Sequence, residues 1–145
     1  MKTNGGFLVT KIKQLGDRIF ERILAEKNID AFNGAQGRIL YVLWQEDGVP
    51  IKIISEKSGL AITSLTTMLE RMEKNGLISR KTDEEKKKKT LLFLTDKAKE
   101  LKEAYDSVSN EMGNIYYRDF TDKEILQFEE YLNRIRVNLE EWSDK

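Results

Sequence analysis

Four short hydroxyl side chains, Thr63, Ser64, Thr66 and Thr67, crowd the start of the run ITSLTTMLERMEKN at 62–75. A hydroxyl both donates and accepts hydrogen bonds. A face built of them can approach base edges or phosphates closely, and a Thr methyl can meet a thymine methyl. Shortly downstream come four consecutive lysines, Lys86, Lys87, Lys88 and Lys89, cations that seek phosphate. Other chemistry is curtailed, because the chain has no Cys and no His. That removes most zinc and iron sites, Cys or His nucleophiles and the Ser-His-Asp triad. Carboxylate chemistry stays open, although no apolar-flanked Asp/Glu pair stands out.

The hydroxyls acquire a direction from their neighbours. Leu65, Leu69 and Met72, with Met68 alongside, recur at helical spacing and form an inner face. Thr63, Thr66, Thr67, Glu70 and Lys74 then point outward, with Ser64 and Arg71 on the flank. A merely solvated helix more often carries Glu and Lys there, because β-branched Thr is a weaker helix former. A Thr-rich solvated face is the alternative reading. Gly76 stops this helix. A short helix over 51–57 precedes it, entered through Pro50 and separated by the tight turn Ser58-Gly59-Leu60. Strands over 77–81 and 90–94 follow, joined by a polar turn over 83–89, so the lysine run falls at the tip of a hairpin.

Long amphipathic helices flank this centre. Leu8, Ile12, Leu15, Ile19 and Ile23 mark a helix over 7–27. Asn33 and Gln36 form a capping box for a helix ending at Gln45, before Asp47-Gly48. A helix over 95–118 opens on Thr95. Thr121 and Glu124 cap the last helix, and Ile125, Phe128, Leu132, Ile135, Leu139 and Trp142 follow in a heptad-like seam. The expected class is mainly α with a small β-hairpin.

The formal net charge of zero hides a separation. Residues 1–49 carry 7 basic and 6 acidic side chains, residues 50–99 carry 12 and 7, and residues 100–145 carry 6 and 12. The central part, at +5, is the one that attracts a polyanion. No apolar run approaches the ~20 residues that span a bilayer. The first residues lack a signal peptide's apolar core. A cytoplasmic protein is expected.

The run IISEKSGLAITSLTTMLERMEKNGLISR and the strand-to-helix junction LLFLTDKAKEL resemble the winged helix–turn–helix of the MarR family of bacterial transcription regulators. The resemblance extends over nearly the whole chain. It implies one domain over 1–145, with a winged helix–turn–helix over 33–94 flanked by dimerisation helices at 7–27 and 95–142. It implies a homodimer that sets a recognition helix, 62–75, into the major groove of a pseudo-palindromic operator. The wing, 82–89, would reach the backbone or minor groove. Ile62, Thr63, Ser64, Thr66, Thr67 and Lys74 form the implied DNA face, with Lys52 on the preceding helix. Arg71 and Arg80 fall at the family's arginine positions, as backbone contacts or structural anchors, and Lys86, Lys87, Lys88 and Lys89 supply the wing. The family's wing Asp-x-Arg is replaced by Lys86 and Lys88, which puts a fixed minor-groove arginine in doubt. Ala61 is a poor N-cap. The resemblance calls for no cofactor. It implies a pocket for a small aromatic or anionic effector, for which Tyr41, Trp44, Tyr105 and Met112 are candidates, while the absence of Cys excludes a thiol peroxide sensor. The competing class is a helical protein-interaction module without specific DNA binding.

Overall fold

The computed structural model describes residues 1–85 and 89–145. Their order is α1 (Gly5–Glu26), α2 (Gly34–Gln45), α3 (Ile51–Ser58), α4 (Ile62–Lys74), β1 (Ile78–Asp83), β2 (Lys89–Leu94), α5 (Asp96–Lys99), α6 (Lys102–Tyr116) and α7 (Asp122–Ser143). The chain divides into two compact units, Met1–Asn110 and Glu111–Lys145. It is mainly helical with one antiparallel hairpin, as the sequence implies.

The core of the first unit is made by Ile39, Leu40 and Leu43 of α2, Ile54 of α3, Leu65, Leu69 and Met72 of α4, and Leu77, Ile78 and Leu92 around the hairpin. Polar groups fix the joints between these elements. The Asn33–Gln36 capping box closes in both directions at 2.8 and 3.1 Å. Gly59 ends α3 in the left-handed conformation at φ 75°. In the same turn the Ser55 hydroxyl donates to the Leu60 carbonyl at 2.7 Å, and the buried Ser58 hydroxyl accepts from the Leu60 N–H at 3.1 Å.

β1 and β2 pair in register from Ile78 with Leu94 to Asp83 with Lys89. The strands are thus longer than the sequence implies, and Thr82, Asp83 and Lys89 belong to the ladder rather than to a loose turn. A third segment joins them. The Leu92 N–H donates to the Val49 carbonyl at 2.9 Å, and the Gly48 N–H donates to the Leu92 carbonyl at 3.0 Å. Gly48 holds φ 71°, and a Cβ there would lie 2.6 Å from the Phe93 ring.

The expected single helix over 95–118 is instead two. α5 is one turn, and α6 begins at Lys102 and stops at Tyr116. The break coincides with a contact from a distant segment. The Ala98 carbonyl accepts from the Trp44 indole N–H at 3.2 Å and from the Leu101 N–H at 3.1 Å. A side-chain donor inserted at a helix carbonyl interrupts the regular ladder.

The long helices leave much apolar surface in water. In α1, Ile23 and Leu24 are buried, but Phe7, Leu8, Val9, Ile12 and Leu15 are exposed. In the second unit, the Thr121–Glu124 capping box starts α7 at 2.9 and 3.2 Å. No residue of α7 is buried, and Ile135, Leu139 and Trp142 of the seam are exposed. Tyr117, edge-on to Phe120 and Phe128, donates its phenol proton to Glu129 Oε2 at 2.7 Å. Burial, then that hydrogen bond and the Glu129 and Tyr116 charges, pushes the Tyr117 phenol up to about 12.

Two outcomes follow from these contacts. Gly48→Ala forces a Cβ against Phe93 in a backbone conformation that suits glycine, so it should destabilise by roughly 1–3 kcal/mol. Urea unfolding should show a lower midpoint with an unchanged slope. An ultraviolet titration should show a tyrosine ionising near 12 that is lost in Tyr117→Phe. Because the folded state holds this proton more tightly, its share of stability is complete below pH ~10 and fades as pH rises toward the folded value.

Candidate nucleic-acid interface

Leu65, Leu69 and Met72 have no exposed surface, and they fix the rotation of α4. Ile62, Thr63, Ser64, Thr66 and Thr67 are all exposed on the other side. The Thr66 hydroxyl donates to the Ile62 carbonyl at 3.0 Å and keeps its lone pairs free to accept. Among the described residues, the hydroxyls of Thr63, Ser64 and Thr67 have no hydrogen-bond partner. Ala61 makes no side-chain cap, as its methyl group dictates. The first bond of the helical ladder runs from the Leu65 N–H to the Ala61 carbonyl at 2.9 Å. The N–H groups of Ile62, Thr63 and Ser64 therefore have no carbonyl within the helix. Donors and the positive end of the helix dipole meet at this spot.

The cations are arranged around that face in different ways. Lys52 on α3 is exposed, as are Arg71 and Lys74 in the last turn of α4. Arg80 on β1 is not free: its Nε donates to Glu73 Oε1 of α4 at 3.2 Å. An exposed pair of this kind adds about 0–1 kcal/mol to stability. Its consequence is orientation, because it ties the hairpin's first strand to α4. Lys89 is exposed at the start of β2, opposite Asp83. Asp83 Oδ1 accepts from the Glu85 N–H at 3.0 Å and shapes the turn there. Lys86, Lys87 and Lys88 lie outside the described residues.

Two residues near this face were not singled out from sequence. Glu73 is the partner that holds Arg80. Lys81 is exposed beside it, with its ammonium 5.2 Å from the centre of the Phe93 ring. The alternation of β1 contained a signal for Lys81. Nothing local marked Glu73 as different from the other carboxylates.

The four candidate effector residues divide. Tyr41, Trp44 and Tyr105 meet in the first unit, whereas Met112 lies in the second. Tyr105 is the hub, with ring centroids 5.8 Å from Tyr41, 5.3 Å from Trp44, 6.0 Å from Phe32 and 6.1 Å from Phe20. These are packing distances between aromatic rings. Burial, then Tyr41 and Asp106, push the Tyr105 phenol up, while Arg38 opposes them. Phe20 and Phe32 were absent from the sequence-based set, since their contact with Tyr105 joins distant segments.

Known proteins resemble the chain at this same centre. Residues 32–90 match the MarR family model, so the resemblance read from the sequence holds over that span. The HTH-type transcriptional regulator TtmR of Methylorubrum extorquens is 34% identical over 77 residues, which cover 53% of this chain and 40% of that protein. The organic hydroperoxide resistance transcriptional regulator of Bacillus subtilis is 41% identical over 64 residues, 44% of each protein. The chain thus spans less than half the length of these curated relatives. A mutant MarR from E. coli, solved with operator DNA, superposes with a TM-score of 0.79 over 90% of this chain and 91% of that one, at 21% identity. At that identity the likeness establishes the fold, a winged helix–turn–helix.

Proposed function

We propose that this chain is a dimeric, sequence-specific DNA-binding transcriptional regulator that works in the cytoplasm, most naturally as a repressor. The observation that carries the reading is the start of α4. Exposed hydroxyls there, three of them without partners among the described residues, stand beside uncapped N–H groups on a helix locked by its apolar back. Such a surface is poorly used by solvent and well matched to base edges and phosphates. Helix 62–75 enters the major groove of double-stranded DNA. Thr63, Ser64, Thr66 and Thr67 meet bases or phosphates, and Ile62 supplies an apolar contact. Lys52, Arg71, Lys74, Arg80 and the wing lysines Lys86, Lys87, Lys88 and Lys89 meet the backbone. The match of residues 32–90 to the MarR family and the fold shared with an operator-bound MarR support the same reading.

A second copy completes the molecule. The exposed apolar residues of α1 and α7 are what a partner chain would cover, with 33–94 serving DNA and 7–27 and 95–142 serving dimerisation. Two recognition helices about 34–36 Å apart can enter successive turns of one pseudo-palindromic operator. A small aromatic or anionic effector acting near Tyr41, Trp44 and Tyr105 would lower occupancy by favouring another spacing.

The deciding experiment pairs selection from a random DNA pool with measurement of molecular mass. A dimer that enriches one palindromic sequence and retards it in excess competitor supports the regulator. A monomer without sequence preference returns the chain to the class of helical interaction modules.

The interface itself is tested by two variants. Replacing Lys86, Lys87, Lys88 and Lys89 with Ala should weaken binding to all sequences and reduce the salt slope by about 0.9 for each phosphate no longer neutralised. Thr67→Ala should change preference at particular base pairs by roughly 1–3 kcal/mol. An unchanged slope removes the wing from the interface, and an unchanged preference assigns Thr67 to phosphate or solvent.

A further inference from the structure

The far end of α4 is held as firmly as its start is open. Thr95 stands where β2 gives way to α5. Its hydroxyl donates to the Gly76 carbonyl at 2.6 Å and accepts from the Ala98 N–H at 3.2 Å. Its backbone N–H donates to the Leu77 carbonyl at 3.2 Å. Lys97 Nζ adds a bond to the Asn75 carbonyl at 3.0 Å. The last carbonyls of α4, those of Arg71, Met72 and Glu73, accept from the Asn75, Leu77 and Gly76 N–H groups, and the carbonyls of that closing turn receive Thr95 and Lys97. The other side of α5 is gripped from α2, because the Trp44 indole N–H donates to the fully buried Ala98 at its carbonyl, 3.2 Å away. Trp44 is in turn packed on Tyr105 at 5.3 Å between ring centroids. All of these residues lie in the first unit.

We propose that the Trp44 indole N–H and the Thr95 hydroxyl are positioning groups for the recognition helix. They act in series: Trp44 holds the Ala98 carbonyl, the same turn of α5 presents Thr95, and Thr95 holds Gly76. The anchored end sets the position of a rod whose 13 residues extend ~20 Å to the hydroxyl face. Contacts to bases tolerate displacements of only about 0.5 Å. The consequence for DNA rests on the function proposed above; the mechanical link between Trp44 and the end of α4 does not.

The test uses three substitutions in the full chain. Trp44→Phe keeps an aromatic ring against Tyr105 but removes the donor. Thr95→Val keeps the branched shape without the hydroxyl, and Thr95→Ser keeps the hydroxyl. Amide hydrogen exchange at Gly76 and Leu77 is read by NMR, beside affinity for a DNA sequence selected from a random pool. Trp44→Phe and Thr95→Val should each speed exchange at these two amides by about fivefold, the value of one hydrogen bond. The double variant should be no faster than Thr95→Val, and Thr95→Ser should behave as the parent. Affinity for the selected sequence should fall by a similar factor, with binding to random DNA unchanged. The proposal is overturned if Trp44→Phe leaves Gly76 and Leu77 untouched, if the two effects simply multiply, or if exchange rises uniformly through the core. It is also overturned if exchange responds while affinity for a selected sequence does not. Should the parent select no sequence while exchange still responds as expected, the link stands and the DNA reading falls.

Discussion

Burial of Leu65, Leu69 and Met72 is the constraint on which the candidate interface depends. Each such side chain gains roughly 1.5–3 kcal/mol from leaving water, an upper figure because unfolded chains bury some surface already. Turning α4 by one position would exchange these residues for Thr66, Glu70 and Glu73, which the apolar core has no means of solvating. The hydroxyl face is therefore fixed outward before any ligand arrives. Short side chains on a rotation-locked helix lose little freedom on binding, so more of each contact remains as affinity.

Local signals were readable wherever a few adjacent residues settle the outcome. The Asn33–Gln36 and Thr121–Glu124 boxes, the stops at Gly59 and Gly76 and the inner face of α4 all depend on neighbours within a turn or two. The winged helix–turn–helix was legible because these short-range features occur in sequence. Structure made by distant partners was not legible. The apolar pattern runs through Leu101, so nothing nearby revealed that Trp44, 54 positions before Ala98, divides helix 95–118 in two. The Val49 bridge to Leu92 and the gathering of Phe20 and Phe32 on Tyr105 are contacts of the same type. Strand ends were misjudged for a related reason. Thr82, Asp83 and Lys89 look like turn residues by composition, yet a ladder begun by Ile78 and Leu94 extends through them.

The apolar stripe of α1 serves two masters along its length. Its last turns, through Ile23 and Leu24, join the core of the first unit, whereas Phe7, Leu8, Ile12 and Leu15 remain exposed. A helix that needed only its own core would be apolar only at the buried end. Single exposed apolar residues are ordinary on protein surfaces, but a periodic row is not. α7 repeats the pattern in the second unit with no buried residue at all. Local propensity and its capping box start that helix, but a seam of Ile135, Leu139 and Trp142 gains its main stabilisation when something apolar covers it. The compact centre thus carries the span that matches the MarR family model, while the ends carry rows of exposed apolar side chains.

The two ends of α4 are satisfied to different degrees. A capping side chain at position 61 would add about 1 kcal/mol by occupying an N–H at the helix start. Ala61 forgoes that gain, and the first-turn donors and hydroxyls remain open together. At the opposite end the Asn75, Gly76 and Leu77 carbonyls receive Lys97 and Thr95, and Arg80 is tied to Glu73 beside them. If α4 were only a packing element, satisfying its start would be as useful as satisfying its finish. Instead the finish is anchored and the start is left open, an asymmetry that packing alone does not require and that the proposed function accounts for.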